Sequence, residues 1–152
     1  MKDIRKILFA TDFSETSQKA LDTTLYLKKE LGCEVHVIHV FDPSVFEMPA
    51  PYYFMPGVEN WLDEHLTGMK DKGRNALNDL MPGLGADCHG HFIQGKPTQA
   101  IVKFAEENGI DLIVMGSHGH SGVNHLLMGS VSEHVARHAP CAVLTIKPDK
   151  QK

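Results

Sequence analysis

The sequence predicts an α/β fold: a three-layer, doubly wound domain built on a five-stranded parallel sheet. Three features point to it: short branched apolar runs of strand length, helical apolar periodicity between them, and a glycine-rich segment after the fourth run. Strands alternating with helices imply βαβ crossovers, a mostly parallel sheet and helices on both of its faces. At 152 residues, 42% hydrophobic and 22% charged, the chain is expected to form a single domain, 1–152, whose core needs no staples.

Ile4 to Ala10 is short and rich in branched residues, the mark of a buried strand. Ser14 opens a helix in which Ala20, Leu21, Thr24, Leu25 and Leu31 recur at helical spacing, and Gly32 stands where a left-handed cap is wanted. Val35 to Val40 forms the second strand. Between Asp42 and Gly57, four prolines among Phe46, Tyr52, Tyr53 and Phe54 predict a loop without regular structure, its aromatics packed inward by default, with a lid over a ligand or a partner-docking surface as the alternatives. Val58, Leu62, Leu66, Met69, Leu77 and Leu80 trace one face of a long helix that Pro82 stops. Ala86 to Ile93 is the third strand. Pro97 suits the first turn of a helix that buries Ile101, Phe104 and Ala105 and closes at Asn108-Gly109. Ile110 to Met115 is the fourth strand, Ser130 to His138 the last helix, and Ala142 to Ile146 the last strand. In such sheets ligands sit beyond the carboxyl ends of the strands, where strand order reverses. That rule singles out Ala10-Thr11-Asp12, Val40-Phe41-Asp42 and the run from Gly116.

Composition excludes several classes of function. A formal charge of −4 with no Lys/Arg cluster speaks against a nucleic-acid surface, and no polybasic stretch suits anionic lipid. No segment reaches the length of a membrane span, and Asp12 and Glu15 interrupt the first apolar run before a signal sequence could form. Cys33, Cys88 and Cys141 are odd in number and lack a Cys-x-x-Cys, so neither a disulfide framework nor a zinc knuckle is indicated. A cytoplasmic protein with reduced thiols is expected.

The segment Met115-Gly116-Ser117-His118-Gly119 continues to Met128-Gly129-Ser130-Val131-Ser132. Glycines 116, 119 and 129 permit backbone approaches that a Cβ forbids. Ser130 and Ser132 open a helix whose free amides and dipole favour an anion, and their hydroxyls can add hydrogen bonds to phosphate oxygens. Ordinary turns and caps use the same residues singly; their combination beyond a strand end favours a phosphate. There is no Gly-Lys-Ser/Thr, so this is not a P-loop, and no Gly-x-Gly-x-x-Gly, so a dinucleotide fold is disfavoured.

Gly116-x-x-Gly119, nine residues, then Gly129-Ser130 is similar to the nucleotide-binding pattern of the ATP-binding universal stress proteins. The resemblance runs along nearly the whole chain. Lys6 to Ser14 looks like that family's opening strand, and His39-Val40 like the end of its second. Gly129 to Val135, followed by Pro140 to Leu144, looks like its closing helix and strand. The resemblance implies an adenine nucleotide alpha hydrolase-like fold holding ATP or AMP. It implies that the Val40 backbone reads the adenine edge, and that Ala10, Thr11 and Asp12 line base and ribose. Gly116, Gly119, Gly129, Ser130 and Val131 hold ribose and phosphates on this reading, with Met115, Ser117, His118 and Ser132 in the same site. Asp12 has two readings: a cap for the first helix, or a ligand that shares a Mg²⁺ with the phosphates, since Mg²⁺ takes few protein ligands. The resemblance also implies a homodimer through antiparallel pairing of 142–146, an apolar edge that proteins normally cover.

Ten histidines are many for this length. The pairs His89/His91 and His134/His138 each share a face at a spacing that suits zinc, but no Cys or carboxylate completes a set, so solvated surface histidine is expected. His36 and His39 are read as satisfied core residues. His118 and His120 lie in the glycine loop, where a protonated ring would contact phosphate and make affinity pH-dependent. Three function readings follow. One is a nucleotide-dependent regulator acting through its dimer or a regulatory protein partner. A second is a slow Mg-dependent ATPase or nucleotide-dependent transferase, with Lys96 and Arg137 as candidate cations. A third is a structural or interaction protein whose nucleotide is incidental. The absence of an evident arginine finger or base favours binding over chemistry.

Overall fold

The computed structural model describes residues 3–119 and 128–150. Five strands form one parallel sheet: β1 (Lys6–Ala10), β2 (Glu34–Phe41), β3 (Cys88–Gln94), β4 (Leu112–Gly116) and β5 (Ala142–Ile146), in the order β3-β2-β1-β4-β5. Four helices cover it: α1 (Glu15–Leu31), α2 (Val58–Leu80), α3 (Pro97–Glu107) and α4 (Ser130–His138). This is the expected doubly wound class. The chain builds outward from β1 to β3, then crosses back to place β4 on the other side of β1, so strand order reverses between β1 and β4.

The sheet divides its side chains by parity. Ile7, Phe9, Val35, Val37, Leu112 and Val114 point to one face, where Ala20 and Leu21 of α1 and Leu77 of α2 complete a core. Leu8, Ala10, Ile38, Ile113 and Met115 point to the other, against Ile101, Phe104 and Ala105 of α3 and Val135 of α4. A strand alternates faces at every residue, and burial on both sides explains why β1 and β4 read as unbroken apolar runs.

Local signals set the helix ends. The Ser14 side chain accepts from the Ser17 amide at 3.2 Å and caps α1, Glu15 and Lys28/Lys29 complement its dipole, and Gly32 closes it at φ 63°. Pro97 stands in the first turn of α3 as expected. Strand bounds differ slightly from expectation: β1 begins at Lys6 and β4 at Leu112, because pairing with Glu34 and Ala142 starts there.

Two expectations are corrected. The proline-rich stretch is not devoid of regular structure, since Pro43–Phe46 and Ala50–Phe54 each form a short 3₁₀ turn. A 3₁₀ turn is brief enough to accept Pro at its start, where no amide is needed. Its aromatics are not packed inward either: Phe54 is 87% exposed and Tyr52 and Tyr53 are also exposed, while Phe46 meets His65 edge-on at 5.0 Å.

His91 is the other departure. It is not a solvated surface residue: its ring lies 4.6 Å from that of Phe104, and its Nε2 pairs with His36 Nδ1 at 3.0 Å. Pairing of β2 with β3 sets His36 opposite His89, and Glu34 Oε1 lies 3.1 Å from His89 Nε2. The same oxygen is 3.2 Å from His36 Nε2, within ion-pair range but not aligned as a hydrogen bond. Among the described residues no group of three or more side chains is arranged to hold a metal. His134 and His138 stack at 4.2 Å, and the His138 ring donates to the exposed His134 carbonyl.

Burial pushes both His36 and His91 below the ordinary imidazole value of 6.5, Glu34 opposing the shift at His36 and neighbouring histidines adding to it. With a depressed pKa in the fold, the unfolded chain takes up protons first as pH falls. Stability from this pair is therefore complete above about 6.5 and declines as pH drops through that value. The urea midpoint is expected to be lower at pH 5.5 than at pH 7.5, and the drop to shrink in His91→Asn; an equal drop in both proteins would assign the acid sensitivity elsewhere.

Candidate functional site

A cavity of about 310 Å³ opens at the carboxyl ends of the strands, at the point where their order reverses. Its walls come from five stretches of chain: Ala10, Thr11, Asp12 and Ser17; Ile38 and Val40; Pro97 and Ile101; Met115, Gly116, Ser117, His118 and Gly119; and Gly129, Ser130, Val131 and Ser132. All thirteen residues that the resemblance places in the site lie on it, whereas Phe41 and Asp42, which the strand-end rule also singled out, do not. Four were missed. Ile38 is two residues before Val40 on the same face of β2, so strand parity alone could have found it. Ser17, Pro97 and Ile101 belong to helices that cross the strand ends, and only the packing of α1 and α3 brings them there.

The β1 end is held by a dense set of local bonds. The Thr11 amide continues the ladder to the Ile38 carbonyl at 3.0 Å, and then the chain turns. Thr11 Oγ1 lies 2.6 Å from Ser17 Oγ and accepts from the Phe13 amide at 3.0 Å. Asp12 Oδ1 accepts from the Ser14 amide at 3.0 Å, so one oxygen of Asp12 shapes the turn into α1 while its residue lines the cavity. Phe13 sits at φ 62°, a left-handed conformation that costs a non-glycine residue roughly 1–2 kcal/mol. Its ring rests 4.7 Å from that of His39, which helps hold it there.

The opposite wall is a clasp between β4 and α4. The Gly129 amide donates to the Ser117 carbonyl at 2.7 Å, and Ser132 Oγ donates to the same carbonyl at 2.8 Å. Ser132 is 2% exposed, so its hydroxyl braces the clasp and is not presented to the cavity as a donor. Ser117 Oγ pairs with His118 Nδ1 at 2.8 Å, and the Ser117 amide reaches the Ile146 carbonyl. Helix α4 begins after Gly129, a cap residue with no side chain of its own, and Ser130 and Val131 of its first turn lie on the cavity wall. A helix start on a cavity wall presents amides that an anion can satisfy.

One glycine is needed where it stands: a Cβ on Gly116 would come 2.9 Å from the Thr16 methyl and 3.3 Å from the backbone of both His118 and Thr16. A Cβ on Gly119 would come 2.5 Å from Asp12 Oδ2, so a side chain there would turn the Asp12 carboxylate aside. His120 lies outside the described residues. Among the described residues no Lys or Arg lines the cavity, and Lys96 and Arg137 are both off its wall. The result has two chemical halves: an apolar slot of Ala10, Ile38, Val40, Ile101 and Met115, and a polar rim of hydroxyls, one carboxylate and backbone amides.

Residues 3–147 match the model of the universal stress protein family. A universal stress protein of Methanocaldococcus jannaschii is 35% identical over 97% of this chain and 85% of its own length. A second protein of that organism, whose structure is solved, is 34% identical with a TM-score of 0.73, covering 99% of this chain and all of that one at 100%. A solved universal stress protein described as a complex with cAMP shares the fold at 23% identity and a TM-score of 0.59, over 95% of this chain and 98% of its own.

Proposed function

The chain belongs to the universal stress protein family, and from that premise we propose that it is a binding module for an adenine nucleotide, ATP or AMP, seated in the cavity between β1 and β4. One observation carries the reading: an apolar slot and the start of α4, whose cap residue is a glycine, line a single cavity at the strand-order reversal. A base needs the first and a phosphate the second. The adenine lies against Ile38, Val40, Ile101 and Met115 with its edge toward the Val40 backbone. The ribose lies by Ala10, Thr11 and Asp12, and the phosphates by Gly116, Gly119, Gly129 and the first amides of α4. The related protein solved with cAMP offers the same combination of base, ribose and phosphate to this fold.

The donor set suits a Mg²⁺ ion only with the nucleotide present. Asp12 is the one described carboxylate on the wall, and Mg²⁺ readily takes a single carboxylate plus phosphate oxygens and water. Such an ion would screen the phosphate charges; Asp12 would orient it. Binding is favoured over a slow Mg-dependent ATPase or nucleotide-dependent transferase because no described cation lines the wall to stabilise a transferring phosphoryl group.

The proposed output is a change in a homodimer formed through β5, read by a regulatory protein partner. Among the described residues β5 pairs only with β4, which leaves its outer edge as the proposed seam for a second copy. No described helix is long and apolar enough to cross a membrane. Cys33 and Cys88 are free thiols, which agrees with a proposed cytoplasmic site.

The test is to identify by mass spectrometry what the purified protein releases on denaturation, and then to follow its melting with added ATP, AMP and Mg²⁺. ATP or AMP in the extract, with a melting temperature that rises as nucleotide is added, is the expected result. A protein that carries no nucleotide and melts identically with and without it would overturn the reading.

A further inference from the structure

His39 does not line the cavity, yet its ring reaches the turn that builds one wall of it. Strand β2 alternates faces, so Ile38 and Val40 face the cavity side while His39 faces the side of α2. Its Nδ1 lies 2.9 Å from the Thr11 carbonyl. A carbonyl only accepts, so His39 must carry its proton on Nδ1 and donate it. That carbonyl belongs to the residue at which the chain leaves the β1 ladder, whose strand register ends at Ala10 opposite Ile38. The next two residues are Asp12, on the cavity wall, and Phe13, in its left-handed conformation.

The ring itself is fixed from three sides. Phe13 lies 4.7 Å from it and Phe92 of β3 lies 5.8 Å from it, centroid to centroid. The third side is Gly73 in the middle of α2, where a Cβ would sit 2.8 Å from His39 Nε2 and 3.1 Å from Cδ2. A glycine at the centre of a helix costs about 1 kcal/mol relative to alanine, and here the missing methyl is the space the imidazole occupies.

We propose that His39 is the positioning residue of the nucleotide site: by donating to the Thr11 carbonyl it fixes the turn that places Asp12, and α2 locks it in that role through the gap at Gly73. The inference rests on the nucleotide reading given above. It adds a route by which a partner that shifts α2 changes nucleotide affinity without touching the cavity.

The experiment compares the unaltered chain with His39→Asn, His39→Leu and Gly73→Ala in ATP titration calorimetry, with histidine nitrogen NMR on the unaltered protein. The Asn side-chain amide nitrogen stands close to where Nδ1 stands in His, so it keeps the donor; Leu does not. His39→Leu is expected to weaken ATP binding about tenfold, the scale of one lost hydrogen bond, and His39→Asn to restore most of it. Gly73→Ala is expected to weaken binding in the same direction, and it carries the affinity measurement should His39→Leu not fold. The NMR spectrum is expected to show His39 protonated on Nδ1. Equal binding by the unaltered, Leu and Ala proteins, equal loss in Asn and Leu, or a proton on Nε2 would each overturn this inference alone. Failure of the unaltered protein to bind ATP would overturn it together with the nucleotide reading.

Discussion

Gly129→Ala is expected to bind ATP at least about tenfold more weakly than the unaltered protein, a loss of about 1.4 kcal/mol, while melting only a few degrees lower. The added Cβ would lie 3.0 Å from the Ser117 carbonyl oxygen, the same atom that accepts from the Gly129 amide at 2.7 Å. That neighbour is backbone, anchored in turn to Ile146, and cannot swing aside as a side-chain tip would. Relief has to come from the start of α4, whose Ser130 and Val131 stand on the cavity wall. The fold itself tolerates alanine, because Gly129 has φ −65° and ψ 155°, ordinary extended backbone. Calorimetric titration beside a thermal melt separates the two effects. Undiminished affinity would mean that the phosphates are not held at the start of α4.

The largest loss of stability is expected from Phe9→Ala: about 3–5 kcal/mol, the range for deleting a buried phenyl ring, and a melting temperature lower by on the order of 10 °C. Phe9 is 1% exposed on β1, which is paired on both sides, with Val37 and Val114 as its register partners. A void there cannot close by moving a strand, since each is bonded to the next across the sheet. Urea denaturation measures the loss directly. A cost under about 1 kcal/mol would show that α1 can settle into the gap, contrary to the dense packing expected of such a core.

The sheet was legible because its signals are local. Ile7 to Ala10 and Leu112 to Met115 are apolar without interruption, and only a strand buried on both faces reads that way. The cavity wall was legible for a different reason: Ala10 to Asp12, Val40, and the glycine run from 116 all lie at the carboxyl ends of strands, and topology assigns ligands to such ends. What stayed hidden depends on contacts between distant segments. His91 has nothing in its own neighbourhood to announce burial; it is covered because Phe104 of α3 folds over it and His36 stands beside it. Ser132 reads as a hydroxyl available to phosphate, yet the Ser117 carbonyl takes its proton once β4 and α4 meet. The exposed Tyr52, Tyr53 and Phe54 misled in the opposite direction, since aromatic content predicts burial and here follows short turns that leave the rings outside.

The strand order β3-β2-β1-β4-β5 has a consequence for how the protein is made. Of the five strands the central one is made first, and β2 pairs with one side of it soon after, from Lys6 opposite Glu34. The other side of β1 waits for Leu112, so until β4 is made Ile7, Leu8 and Phe9 form the raw border of a half-built sheet. Unpaired apolar borders recruit other chains. The nascent protein is therefore most vulnerable to self-association after β3 and before β4 emerges. No ligand of the cavity can protect it in that interval, because Gly129 to Ser132, which complete the wall, are made after β4.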